Sequence, residues 1–428
     1  MKRCAGIALG LLLTSATANA EIPKAGALAQ PKPAHQVGLP SELTAAVTPR
    51  DNPDSPEKVE LGRKLFFDGR LSADGTVACA TCHDPDKGFT DGKRTSVGIK
   101  QQVGHRNAPT VLDALYNDTQ FWDGRAKTLE DQAKLPITNP IEMGQPNLDN
   151  AVANVAKVPE YRDAFQRIFG RPATGDDLAR ALAAYERSQA AFDAPFDRFL
   201  AGDDKALDAS ARRGWALFNG RGRCMSCHGV SPTQPTFSDN KFHNIGVSAH
   251  KQNFVELARK GLQIVDSGDA NAVDRAALET DMSELGRFLV TKNFQDVGAF
   301  KTATLRNVLV TPPYFHDGSQ DTLWDVMDHY NKGGVQNPFL DGGIQRLGLS
   351  EREIDDLVAF LASLTTDRYQ AIGKKELARQ RALSRTKRPQ RDLAAALGKD
   401  AQGPGLKGPF GDPMPPQTLK DPALVGGR

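Results

Sequence analysis

The chain has 428 residues, 39% of them hydrophobic and 25% charged, with a formal net charge of +2. That length suits two domains, and the composition is that of an ordinary soluble protein. No strong positive balance points to nucleic acid, and no apolar run is long enough for a transmembrane segment.

The first twenty residues, MKRCAGIALGLLLTSATANA, have Lys2 and Arg3, an apolar run from Ala5 to Leu13 and an Ala-x-Ala ending at Ala20. This order reads as a cleaved secretory signal over 1–20, followed by a leader over 21–41, and it places the protein in the periplasm. Cys4, one of five cysteines, would leave with the signal.

The other four cysteines form two copies of one pattern: Cys79, Cys82 and His83 in CATCH, and Cys224, Cys227 and His228 in CMSCH. Cys-x-x-Cys-His is the attachment pattern of c-type haem. Two thiols separated by two residues reach the two vinyl groups of one porphyrin, and the adjacent imidazole meets the iron from the same side. A zinc ribbon needs paired Cys-x-x-Cys but no His at this fixed position in both pairs. Two covalent haems are therefore expected, and an exported chain suits them.

A helix precedes each motif, with GRKLF at Gly62–Phe66 and GWALF at Gly214–Phe218. An amphipathic helix closes each half. Leu178, Ala181, Leu182 and Tyr185 share one face in the first, as do Ile354, Leu357, Val358, Leu361 and Leu364 in the second. Ser350 and Glu353 form the pattern of a capping box. Between them lie Gly/Pro/Asn-rich stretches with little strand alternation. The fold class is all-α, with two cytochrome c-like domains over 42–205 and 206–370 and long irregular loops. From Ala371 onward there are twelve Lys or Arg against five Asp or Glu, so a basic tail follows an acidic body. This tail, 371–428, is rich in Pro and Gly and is expected to be disordered.

In VMDHYNKGG, Met327, His329 and Tyr330 each offer a group able to bind iron. Met327 and Tyr330 lie about one helical turn apart, so a small change of register exchanges them.

The two haem motifs, FWDGR (Phe121–Arg125), NPIEMG (Asn139–Gly144), TLRNV and PPYFHDG, in this order, resemble the bacterial dihaem cytochrome c peroxidases and their relatives that mature methylamine dehydrogenase. The resemblance runs from about Glu42 to Thr366. It implies a peroxidatic haem held by His83 and an electron-transfer haem held by His228, whose sixth ligand falls on Tyr330. Met327 and His329 remain alternatives. It also implies Glu142 as acid–base residue, Gln132 as distal amide and Trp122 as the aromatic between the haems. Calcium is implied at Asn107, Thr302 and Thr304. Where relatives that need reductive activation carry a blocking His after T-S-x-G, this chain has Ile99 in TSVGI.

The activity implied is reduction of hydrogen peroxide to water, with electrons from a small cytochrome c or cupredoxin. A second reading is an oxidase that uses peroxide to modify Trp or Tyr of a secreted protein partner. A third is an electron carrier or sensor without turnover, which would need neither Glu142 nor Gln132. Tyr330 and Ile99 favour the oxidase. Against it, Gly222 stands where the best-known maturation enzyme has a Trp, two residues before the second haem motif.

Overall fold

Each half of the chain is built on a crossing of two helices that a glycine makes possible. In the first half, α1 (Pro56–Phe66) crosses the helix Gly175–Arg187; in the second, the helix Ala209–Asn219 crosses the helix Glu351–Ala362. A Cβ on Gly62 would lie 1.9 Å from the Ala181 carbonyl oxygen, and a Cβ on Gly214 would lie 1.9 Å from that of Asp356. No side chain fits at either point, so the backbones meet directly.

The computed structural model describes residues 22, 25–31, 47–231, 235–250, 254–266 and 280–387. The expected signal, most of the leader and the tail beyond Lys387 lie outside them. The remaining elements of the first half are α2 (Cys79–Cys82), α3 (Leu129–Thr138), α4 (Leu148–Val155), α5 (Pro159–Phe169) and α6 (Gly175–Arg187). A linking helix, α7 (Pro195–Leu200), leads to α8 (Ala209–Asn219), α9 (Phe254–Val265), α10 (Leu323–Asn331), α11 (Glu351–Ala362) and α12 (Gln370–Lys387). Strands among the described residues are a two-residue antiparallel pair, Phe242–His243 with Phe300–Lys301. The protein is mostly helical, and long irregular segments join the helices.

The apolar stripes read from the sequence face inward. Leu178, Ala181, Leu182 and Tyr185 are buried against Leu61, Leu65 and Phe66, while Leu357, Val358 and Leu361 pack with Phe218 and Phe360. Each fully buried Leu or Phe contributes roughly 1.5–3 kcal/mol of transfer free energy. Ser350 caps α11 as a reciprocal box, its hydroxyl accepting from the Glu353 N–H and its own N–H donating to the Glu353 carboxylate.

The expectation of disorder from residue 371 is corrected by α12, an 18-residue helix. Its basic residues are not simply solvated. Lys387 donates to Asp321 and Asp325 at 2.9 and 3.0 Å, and Gln380 is fully buried. Composition concealed this because the contacts that order the segment lie more than fifty residues away in sequence.

Candidate haem centres and the residues between them

Cys79 and Cys82 open and close the single turn of α2, and Cys224 opens the corresponding 3-10 turn, Cys224–Ser226, with Cys227 next. The following His is pulled back by the same backbone bond in both halves, from His83 N–H to the Cys79 carbonyl and from His228 N–H to that of Cys224. His83 Nδ1 lies 3.1 Å from the Phe89 carbonyl oxygen, and His228 Nδ1 lies 2.8 Å from that of Phe237. A ring nitrogen facing a carbonyl must carry the hydrogen, so Nε2 of each ring is the bare one, available to iron. Burial lowers the proton affinity of both imidazoles, which keeps them neutral. Burial also pushes the thiols of Cys82 and Cys224 up to about 11 and about 12, and there is no disulfide among the four cysteines. The direction at Cys82 and Cys224 is opposite to that of the lowered-pKa thiolates of redox or nucleophilic sites. Thiol pair, oriented imidazole and apolar surroundings all fit covalent haem.

Cys224, Cys227 and His228 line a cavity of about 410 Å³ together with Val326, Met327 and Tyr330 of α10. Met327 is buried in the core of the second half and Tyr330 packs against that core. His329 turns elsewhere: its Nε2 is 2.8 Å from the Ile245 carbonyl oxygen.

In the first half, Gln132 is half-buried on α3, and Glu142 sits in the tight loop after that helix. Asn139 Nδ2 donates to the Glu142 carboxylate at 2.8 Å, and the Gly144 N–H closes the loop on the Asn139 carbonyl. The Glu142 charge is felt at both Cys79 and Cys82. Ile99 is 4% exposed, its N–H donates to the Glu142 carbonyl at 2.9 Å, and its side chain fills the space beside Gly144.

A second layer of repetition relates α3 to α10, and sequence reading missed it. Phe121 and Gly124 in one half, and Phe315 and Gly318 in the other, all have left-handed backbones. Isolated bridges, Gln120 with Ala126 and Tyr314 with Gln320, close both turns. Seven residues beyond each Phe, Thr128 and Thr322 cap the helices by accepting from Asp131 N–H and Asp325 N–H, both at 3.1 Å. Counted from the caps, Gln132 corresponds to Val326 and Pro136 to Tyr330. A proline has no side-chain donor atom. Trp122 corresponds to His316.

Trp122 lies where the halves meet. Its Nε1 donates to the Asn107 carbonyl at 2.9 Å, and its own carbonyl accepts from the Lys301 N–H at 2.8 Å. Asn107, Thr302 and Thr304 line the same cavity as Trp122. The Asn107 side-chain nitrogen donates to the Lys93 and Arg94 carbonyls, which leaves Oδ1 as its oxygen donor for a hard cation. Thr302 O also accepts from the Ser238 hydroxyl, and Thr304 Oγ1 donates to Thr236 O. Two further cavity residues escaped notice. His316 stacks on Phe300 at 3.6 Å and pairs with Glu284. His243 lies 2.6 Å from Asp341 and 3.0 Å from Asp239. Their only sequence signal was a lone His in each of FHNIG and YFHDG.

Comparison with known proteins decides the kinship. Residues 56–205 match the di-haem cytochrome c peroxidase family. The chain is 38% identical over 321 residues to the methylamine utilization protein MauG of Methylorubrum extorquens, covering 74% of this chain and 81% of that one. It is 38% identical over 369 residues to the cytochrome c551 peroxidase of Pseudomonas aeruginosa, covering 83% and 91%. The chain belongs to the di-haem cytochrome c peroxidase family. Among solved structures, a MauG-like protein associated with microbial copper homeostasis superposes with a TM-score of 0.62 at 31% identity, over 74% of this chain and 92% of that one. The protein is thus an oxidoreductase of the di-haem peroxidase type, and among the described residues no helix is long and apolar enough to cross a membrane.

Proposed function

We propose that this chain is a periplasmic enzyme that reduces hydrogen peroxide to water at the first centre, drawing two electrons through the second from a small cytochrome c or cupredoxin. The observation that carries this division is Pro136 at the place that Tyr330 holds in the other half. At this position the second centre has a side chain able to close its iron, and the first has a proline that cannot; His105, six residues after Ile99, is the other group that could reach the first iron. Ile99 adds to this, since an aliphatic group stands where a blocking imidazole would come from.

Haem bound at the first centre supplies the metal that receives peroxide, and haem bound at the second supplies electron storage. The chain's own residues do the rest. Cys79 and Cys82 would hold one porphyrin and Cys224 and Cys227 the other, with His83 and His228 as the imidazoles offered to the two irons and Tyr330 as a further ligand offered at the second centre. Glu142, oriented by Asn139, is the group placed to take a proton from hydrogen peroxide and return it to the oxygen that leaves as water, and the Gln132 amide would orient the substrate. Trp122, fixed on both sides by backbone bonds, bridges the two centres. A calcium ion held by Asn107 Oδ1 and the carbonyls of Thr302 and Thr304, with waters, would stiffen this junction.

The oxidase reading gains from Tyr330, because an anionic oxygen ligand stabilises oxidised iron. It is weakened at Gly222, where a Cβ would already lie 2.7 Å from the Leu217 carbonyl oxygen. A Trp at that position would require this backbone to shift. Stopped-flow mixing of the as-isolated holoprotein with peroxide and a reduced small cytochrome tests the choice. Two cytochromes oxidised per peroxide, at catalytic rates, is the expected result; stoichiometric peroxide consumption without cytochrome turnover would refute the peroxidase reading.

A further inference from the structure

The helix that composition had marked as a disordered tail touches α10, the helix that carries Met327 and Tyr330. α10 has nine residues, and its first N–H groups need partners from outside the helix. Thr322 supplies one, at Asp325 N–H. The Leu323 N–H is satisfied by Gln380 Oε1 of α12, at 2.8 Å. Gln380 is 0% exposed, and its Nε2 donates to the Leu309 carbonyl at 3.2 Å, the Tyr314 hydroxyl at 2.8 Å and Glu376 at 2.9 Å. Tyr314 itself lines the cavity.

Two further residues of α12 hold the same turn. Lys387 bridges Asp321 and Asp325, and the Arg381 guanidinium lies 5.9 Å from the Trp324 ring centre. The lead-in and first turn of α10 are therefore gripped at Asp321, Leu323, Trp324 and Asp325 by a helix that begins after the motifs of the family resemblance end. A short helix moves as a unit, and Tyr330 lies seven residues, about 10 Å, beyond Leu323. What α12 does at Leu323 is transmitted to Met327 and Tyr330.

We propose that α12 is a strap that sets the depth and register of α10 against the second haem, with Gln380 as its positioning residue. The inference rests on the reading that α10 faces that haem. Burial alone would be served by any apolar side chain at 380. An amide that links Leu323, Leu309 and Tyr314 instead fixes α10 relative to the segment before it, Val308–Tyr314.

The test uses the full-length holoprotein with Gln380→Leu and, separately, Lys387→Gln. Low-temperature electron paramagnetic resonance and redox titration report the second haem, and hydrogen–deuterium exchange reports residues 321–331. With Gln380→Leu, the second haem's single signal is expected to split into two, its potential to move and exchange at 321–331 to quicken severalfold, while the first haem's signal stays put. Lys387→Gln should move the same readouts less, and it decides the matter if Gln380→Leu does not fold. A merely structural helix would give a lower melting temperature with the second haem's signal, its potential and the 321–331 exchange all as in the wild type, and that result overturns the proposal. The ligand reading is judged separately. If neither Tyr330→Phe nor Met327→Leu alters the second haem's signal, that reading falls, and the strap still stands or falls on the Gln380 and Lys387 variants.

Discussion

Trp122 and His316 occupy equivalent positions in the two halves, and a single residue holds both: Asn107 accepts from Trp122 Nε1 at 2.9 Å and donates its N–H to the His316 carbonyl at 2.8 Å. Both side chains line the cavity. The junction between the centres is thus a hydrogen-bonded seam, and changes at its edges are expected to reach both haems.

One edge of that seam is Asp123, a buried carboxylate that accepts from Arg106 at 2.7 Å and from Arg125 at 3.1 Å. Arg106 also donates to the Ser283 carbonyl in the other half. Burial alone would raise the Asp123 carboxyl, but Arg125 and Arg106 more than offset it and hold the group at about 2, below its ordinary 3.8. A depressed carboxyl contributes stability that is complete above its unfolded value, so this contribution should persist at neutral pH and be lost between about 3.8 and about 2. Asp123→Asn leaves two half-buried guanidinium groups without their buried anion and should cost about 3 kcal/mol, the low end for a broken buried pair. Urea unfolding at pH 7 and pH 2.5 measures this, and the gap between wild type and variant should narrow at the lower pH.

At the first centre, Glu142→Gln should leave both haems attached while slowing the reaction with peroxide by about two to four orders of magnitude, the usual cost of losing an acid–base group. Stopped-flow absorbance gives the rate, and unchanged kinetics would remove Glu142 from the mechanism.

The resting state offers a third measurement. Because neither Pro136 nor Ile99 can ligate iron, the oxidised protein as isolated should show one high-spin haem and react with peroxide at once, unless His105 closes the site. Ile99→His places an imidazole beside Glu142. It is expected to convert part of that signal to low spin and to delay the peroxide reaction until an electron donor is added. An all-low-spin spectrum in the unmodified protein would contradict the open first centre.

At the second centre, Tyr330→Met should raise the haem potential, because a thioether stabilises ferrous iron and a phenolate ferric. Tyr330→Phe should remove the ligand or recruit Met327, and Met327→Leu should change the spectrum little. Redox titration of the three variants decides among them. A spectrum destroyed by Met327→Leu and untouched by Tyr330→Phe would make Met327 the ligand.

The kinship and the helical stripes were legible in sequence because Cys-x-x-Cys-His motifs and amphipathic spacing are written locally. Cys79 to His83 and Cys224 to His228 are contiguous, and the inward stripes at Leu178–Tyr185 and Ile354–Leu364 follow helical spacing. What escaped was non-local. Gln380 reads as one more polar residue in a basic stretch until the Leu323 N–H is seen against it. Pro136 reads as a helix defect until α3 is laid over α10. His243 and His316 are isolated in sequence, and their carboxylate partners are distant, except for Asp239. The helix α12 was misjudged because its ordering comes from Asp321, Leu323 and Leu309, not from its own composition.

The glycine crossings also set a timetable for biosynthesis. Gly62 needs α6 to close over it, yet α6 begins about ninety residues after His83; Gly214 needs α11, which begins about 120 residues after His228. In a chain made N-terminus first, at about 5–20 residues per second, each pair of thiols would precede its partner helix by several seconds. If porphyrins are attached to these thiols, the chain order leaves each motif uncovered until α6, and later α11, has been made.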